Sequence, residues 1–323
     1  MNLEINYLKN SKGLFVFSDP GGAKPLLSFI KNYKLKDFIV ISDRSYDFFL
    51  DFEITVISFR NQNILDIIKD FNPDYLLTGT SYTSKIELKF IKEAKKLGIN
   101  TYSYIDHYLN YKERFVLEKE NIFPNKILLI DNIAKKIALK NNLSDHSSLI
   151  VCNNFYHDFL KNWSPNTERK NFINNLLIKS DQKIIVFAPD PLSNINGKEK
   201  YLFDENDIWN DLAFVLKKIK SQNLIIVIKF HPNQIKEPLI KLIQNSNITN
   251  VVYYNQSNTI DLLYHSDVII GMFSSILIEA NIFKKKIIRH FPNLNIYDPL
   301  SKLDIGLKSN NKKELFNNML KYI

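Results

Sequence analysis

The chain has 323 residues, enough for two ordinary domains, and its 45% hydrophobic content can fill two packed cores. A formal net charge of +9 draws anions such as nucleotides, acidic sugars and lipid headgroups, whereas nucleic acid is set aside as a partner because the basic residues are spread along the chain without a recognised binding motif. No run of about 18 uncharged apolar residues occurs and MNLEINYLKNSK lacks a leader's apolar stretch, so a cytoplasmic protein is expected; the single cysteine, Cys152, rules out an internal disulfide and a cysteine-based zinc cluster.

In chain order, LFVFS, FIVIS, ITVIS, DYLLTG, NTYSYI, KILLI and SLIVC read as short, β-branched strands. Helical-period segments separate them. In SKIELKFIKEAKKLG, Ile86, Phe90, Ile91 and Leu97 share one face and Gly98 closes the helix. Cys152, in SLIVCNN, reads as a buried strand residue and not as a nucleophile. The stretch FLKNWSPNTERKNF, residues 159–172, holds a proline and mixed charges and marks a linker or inter-domain helix. KIIVFAP, LIIVIKFHP, NVVYY, DVIIG and KKIIRH then restart the strands, with helices expected near residues 205–221, 234–245, 258–265, 274–283 and 312–322. The pattern predicts an α/β fold of two Rossmann-like, doubly wound parallel-sheet domains facing a cleft. Residues 1–165 form the acceptor-side domain and residues 166–323 the nucleotide-binding one, with the last helix able to pack back on the first domain. Ligands in such domains bind outside the carboxyl ends of the strands.

Four stretches at such strand ends carry candidate chemistry. In FVFSDPGGAKPLLSF, two of the chain's 8 glycines, Gly21 and Gly22, stand together where the backbone needs freedom or a close approach. The stretch has neither the G-x-G-x-x-G spacing nor a Ser or Thr after Lys24, so it is a tight turn or a substrate loop of another kind. Asp19 is then a general base or a local cap. In SYIDHYLNYKERF, Asp106 and His107 also follow a strand, with Tyr108, Tyr111, Lys112 and Arg114 suited to a sugar and a charged acceptor. In KFHPN the proline ends the strand at His231, leaving an exposed turn or an imidazole placed to meet a phosphate. In SDVIIGMFSSILIEANIF a strand ends at Gly271 and Ser274 or Ser275 starts a helix, which is a plain cap or an anion site with Glu279 one turn on. His265 is placed at a helix end where a cation suits the dipole. The basic run IFKKKIIRHF reads as a solvated helix end or a membrane patch, and no His or carboxylate pair has metal-ligand spacing.

A strand ending in His-Pro, followed two βα units later by a Ser-Ser-capped helix, resembles the nucleotide-binding half of GT-B glycosyltransferases over residues 183–291. Within that group FHPN and MFSSILIEA are similar to bacterial capsule and lipopolysaccharide enzymes: sialyl- and polysialyltransferases and Kdo transferases, which use CMP-sugars, and the CDP-glycerol glycerophosphotransferases of teichoic acid synthesis. The resemblance implies that His231, with Lys229 and Pro232 beside it, meets the donor phosphate together with Ser274 and Ser275, that Glu279 holds the ribose, and that Asp190 and Ser193 face the donor. Gly21 and Gly22 become a substrate loop, and Asp19, Asp106 and His107 the candidate bases. The implied activity is inverting, metal-independent transfer, without a cofactor, of a CMP-activated acidic sugar to a glycan or lipid-linked glycan acceptor at the inner face of the cytoplasmic membrane, with peripheral membrane contact. Alternatives are glycerophosphate transfer from CDP-glycerol, UDP-sugar 2-epimerisation or hydrolysis, and a non-catalytic binding relative. The hydrolysing epimerases share an HPN-like turn but show Asp-Ser-Gly-Gly where this chain has Met-Phe-Ser-Ser.

Overall fold

The computed structural model describes the chain except residues 1–2, 82, 166, 177, 180, 196, 220–222, 232–233, 256–257, 294–297, 299 and 302. It divides into two units, Met1–Asn162 and Trp163–Ile323. The first carries β1 (Gly13–Phe17), β2 (Phe38–Ser42), β3 (Ile57–Ser58), β4 (Tyr75–Thr78) and β5 (Asn100–Ile105). A short antiparallel hairpin, β6 (Val116–Leu117) and β7 (Glu120–Asn121), precedes β8 (Lys126–Leu129) and β9 (Ser148–Val151). Seven of these strands form one parallel sheet in the order β3-β2-β1-β4-β5-β8-β9.

The second unit carries β10 (Lys183–Phe187), β11 (Leu224–Ile228), β12 (Val251–Tyr253), β13 (Val268–Gly271), β14 (Lys286–His290) and β15 (Leu307–Ser309), ordered β12-β11-β10-β13-β14-β15 and all parallel. Each order reverses once, between β1 and β4 and between β10 and β13, and that reversal opens a crevice at the strand ends. Strands covered on both faces explain the near-continuous apolar runs of the sequence. Ile185, Phe187, Ile226 and Ile228 pack on Trp209 and Leu212 of the helix Glu205–Ile219. Their neighbours Ile184, Val186, Ile225 and Val227 pack on Leu262, Leu263 and Leu277 on the other side.

The final helix, Lys312–Tyr322, buries Leu315 and Met319 in the second unit's core beside β14 and β15. Several expectations need correction. Leu97 lies past the helix Ile86–Lys96 and is 38% exposed, while Ile86, Phe90 and Ile91 are buried as the spacing implies. Cys152 follows β9 and is half-buried, and burial pushes its thiol well up, which suppresses the nucleophilic thiolate. His265 ends its helix but is buried against Phe172, and burial lowers its pKa, so it is a neutral core imidazole and not a dipole-matched cation. Two lysines of the basic run are engaged by carbonyls, Lys285 with Tyr264 and Lys286 with Tyr322 at 3.1 Å. Among the described helices none is long and apolar enough to cross a membrane.

Candidate functional site

The Asp-Pro-Gly-Gly stretch is the start of the helix Pro20–Tyr33. Pro20 takes the first helical position, where its missing N–H costs nothing, and the N–H groups of Gly22 and Ala23 bond to the Asp19 carbonyl at 3.1 and 2.9 Å. Gly21 and Gly22 therefore lie in the first helical turn and not in an irregular loop. Neither glycine has a positive φ. A Cβ on Gly21 would lie 2.2 Å from Asp106 Oδ2, and one on Gly22 would lie 2.9 Å from the Gly79 Cα. Both residues are glycine because Asp106 and the loop after β4 come into contact with this helix end.

That contact brings Asp19, after β1, and Asp106, after β5, to the same crevice. Asp19 Oδ1 accepts from Arg44 Nη1 and from the Thr83 hydroxyl, each at 2.9 Å, and Arg44 Nη2 donates to Thr83 Oγ1 at 2.7 Å. Asp106 Oδ1 accepts from Arg114 Nη1 at 3.2 Å, and the same nitrogen donates to the Thr80 carbonyl at 2.7 Å and its hydroxyl at 2.8 Å. The side chains of Asp19 and Asp106 remain 25% and 24% exposed, so a substrate can reach them. His107 is exposed, and Asp106 pairs with Arg114, so the Asp106–His107 pair considered from the sequence does not form. Adjacent side chains on extended backbone diverge. Tyr111 is buried in the core and offers no sugar platform.

One residue of this site escaped the sequence reading. Glu87, 2% exposed, accepts from the Ser18 N–H at 3.1 Å, the Ser81 N–H at 3.2 Å and the Ser81 hydroxyl at 2.9 Å, tying the loop after β1 to the loop after β4. The available signal was a carboxylate among the apolar residues of IELKFI. Burial pushes Glu87 up to about 7, against the pull of the Ser81 bonds. A raised native pKa stabilises the fold fully below the ordinary value near 4.5 and loses that contribution as the pH rises through about 7. Glu87→Gln is expected to flatten the pH dependence of urea stability across this window by roughly 3 kcal/mol relative to the parent. Parallel curves for the two proteins would show that Glu87 does not titrate there.

In the second unit the helix Ser275–Ile282 starts directly after the β13 turn, with Ser274 as its cap residue and no side-chain cap bond. Its first N–H groups and the exposed Ser275 form a positive, hydrogen-bonding end suited to a phosphate. Glu279, one turn further, is buried. Asp190, after β10, is also buried, and its Oδ2 accepts from the Phe273 N–H at 3.3 Å, so Asp190 holds this turn in shape. Burial pushes Asp190 up to about 6. On the far side Arg289, with no exposure in mid-β14, donates to the Met272 carbonyl at 2.8 Å and pairs with Asp298. A charged residue inside KIIRH was the available signal for it.

β11 ends at Ile228, three residues before His231, where the strand was expected to end, and Pro232 lies outside the described residues. Burial first, and Lys229 second, lower the pKa of His231, so near neutral pH the imidazole is uncharged. Its position is set by Gln234, whose N–H donates to the His231 carbonyl at 3.0 Å and whose side chain donates to Glu205 at 3.3 Å. Glu205, 1% exposed, also takes the Ser193 N–H at 2.9 Å and hydroxyl at 2.5 Å. Ser193 is thus bound by Glu205, which links the loop after β10 to the His231 turn. Lys229 Nζ lies 5.7 Å from the Tyr254 ring centre. Asp190, Ser193, His231 and Ser274 therefore belong to loops joined around one switch point.

Comparison with known proteins agrees with this geometry. Residues 156–320 match the family model described as CDP-Glycerol:Poly(glycerophosphate) glycerophosphotransferase. The fold is similar to UDP-GlcNAc 2-epimerase from Methanocaldococcus jannaschii, with a TM-score of 0.68 at 14% identity over 96% of this chain and 92% of that one. It is also similar to the Neisseria meningitidis UDP-GlcNAc 2-epimerase solved with UDP-GlcNAc, with a TM-score of 0.65 at 17% identity over 96% and 90% of the two chains. E. coli ADP-heptose lps heptosyltransferase II aligns with a TM-score of 0.57 at 12% identity over 96% and 98%. At these identities the likeness is one of fold. No curated protein matched the sequence. Two Rossmann-like units of parallel strands define the GT-B-type fold, and the family model makes the chain a transferase that uses a nucleotide-activated donor. The chain belongs to the CDP-glycerol:poly(glycerophosphate) glycerophosphotransferase family.

Proposed function

We propose that this enzyme transfers glycerophosphate from CDP-glycerol to a hydroxyl of a bacterial surface polymer. The observation that carries the reading is the second unit's switch point, where His231 and the Ser275 helix end lie inside the family match. The acceptor oxygen attacks the phosphorus that bears glycerol, the bond from that phosphorus to the bridging oxygen of CMP breaks, and CMP leaves with that oxygen. Asp106, or Asp19, takes the acceptor proton. The helix end, His231 and Lys229 meet the charge on the departing nucleotide, so no metal ion is required. Transfer is expected to persist in excess EDTA; a loss restored by Mg²⁺ would overturn the metal-free mechanism. A CMP-linked acidic sugar is the second reading, favoured by the guanidinium groups of Arg44 and Arg114 beside the carboxylate pair, which suit an anionic substrate. We place the reaction in the cytoplasm at the membrane's inner face, where a lipid-linked acceptor would be met. Exposed Leu109 and Ile133, with Lys135 and Lys136 nearby in sequence, support that contact.

The first test is a thermal-shift panel of CMP, CDP, UMP, UDP and GDP, since a ligand of the native state raises its apparent stability. Cytidine selectivity is expected. Uridine selectivity would favour UDP-sugar epimerisation, and no shift with any nucleotide would remove the donor site. His231→Ala is expected to weaken CDP binding by roughly 10- to 150-fold, the value of about 1.5–3 kcal/mol for a hydrogen bond to a charged group. Because a bound phosphate favours the protonated imidazole, parental CDP affinity is expected to rise as the pH falls through the lowered His231 pKa, and the variant to lack that rise.

A further inference from the structure

Beyond the reacting pair, the first unit holds a polar cavity of about 340 Å³ at the carboxyl ends of β8 and β9. Its walls include Tyr108, Asp131, Asn154, Asp158 and Lys161. In the sheet order β5 carries Asp106 at its end and β8 and β9 come next, so the cavity continues the same edge by one to two strand spacings, on the order of 5–10 Å. The size is at the small end of ligand sites and suits a single saccharide or polyol unit.

The polar groups are held in place by the fold. Asp131 Oδ1 accepts the Ala134 N–H at 2.7 Å as a helix cap, and its Oδ2 accepts the Tyr108 hydroxyl at 2.6 Å. Each oxygen keeps lone-pair capacity for a further donor. Asn154 Oδ1 accepts the N–H groups of Tyr156 and His157 at 3.1 and 3.0 Å, which fixes the side chain so that its amide nitrogen is the group left to donate. Lys161 is paired with Asp158 at 2.8 Å and Asp131 adds a second carboxylate to the walls, so the cavity's charge does not favour a phosphate. The Tyr108 ring is 39% exposed and forms an apolar platform. A fixed acceptor, a fixed donor and an aromatic face match neighbouring hydroxyls on a carbon skeleton.

We propose that this cavity binds the hydroxyl-bearing unit next to the one that reacts, so that the enzyme reads an acceptor at least two units long. The inference rests on the transfer reading and on the first unit as the acceptor side. Calorimetric titration of the full chain with sn-glycerol 3-phosphate and with a synthetic glycerol phosphate dimer tests it. The dimer is expected to bind roughly ten-fold more tightly, the scale of one good hydrogen bond to a charged group. Asp131→Asn preserves the helix cap, and Tyr108→Ala removes the platform; each is expected to abolish the dimer's advantage while CMP affinity stays parental. Equal affinity for both lengths, or an advantage that survives both substitutions, overturns the proposal. Free glycerol competing as well as the dimer would also overturn it, by marking a general polyol site. If the dimer advantage appears without any transfer from CDP-glycerol, the transfer reading fails and the cavity stands. Transfer with equal KM for both lengths sinks the cavity and leaves the transfer reading standing.

Discussion

Asp106→Asn is expected to slow transfer by about 10²–10⁴-fold, the usual contribution of a positioned general base, with nucleotide affinity unchanged. Asparagine keeps an oxygen for Arg114 and removes the ability to take a proton, so the variant separates chemistry from architecture. Asp19→Asn is the necessary comparison, because Asp19 shares the crevice and is held in the same way, by Arg44 and Thr83. A parental rate for Asp106→Asn with a collapsed rate for Asp19→Asn would transfer the role to Asp19. Parental rates for both would leave the first unit without a carboxylate base. Gly21→Ala supplies an independent check: its new Cβ would sit 2.2 Å from Asp106 Oδ2, too close for the carboxylate to stay. A loss of rate comparable to that of Asp106→Asn is expected, read in the same transfer assay.

Arg289→Met is expected to destabilise the protein by about 3–5 kcal/mol, the cost of breaking a buried pair and leaving one charge behind. Arg289 has no exposure, and its loss leaves Asp298 with only Lys308 and the Leu300 N–H and frees the Met272 carbonyl at the turn that leads into the Ser275 helix. The substitution keeps much of the side chain's volume, so the measured loss in urea denaturation reports electrostatics more than a cavity. A change below about 1 kcal/mol would mean that Asp298 is satisfied by Lys308, which already lies 3.0 Å away. Restoring stability with Arg289→Lys is not expected, because an ammonium cannot serve Met272 and Asp298 with the planar geometry of a guanidinium.

The sequence by itself determined the α/β class, most of the strands and the strand-end positions of His231 and the Ser-Ser pair, because these depend on local rules. Apolar runs such as LIIVI mark doubly covered strands, and the Ser-Ser pair after Gly271 marks a helix start within a few residues of chain. The short strand β15, the hairpin β6–β7 and the first helix, Leu3–Asn10, were not legible, because each is too short or too weakly patterned to stand out without its neighbours. The tertiary structure alone decided why Gly21 and Gly22 are glycines, which arginine holds which aspartate, and that Glu87, Glu205 and Arg289 support the loops around the sites. Asp19 and Asp106 reach the same crevice because the chain order of the strands differs from their order in the sheet, placing β1 beside β4 and β4 beside β5. Residue spacing encodes which face of an element is buried; partnerships across a sheet edge depend on which strands become neighbours, and that is settled only when the sheet assembles.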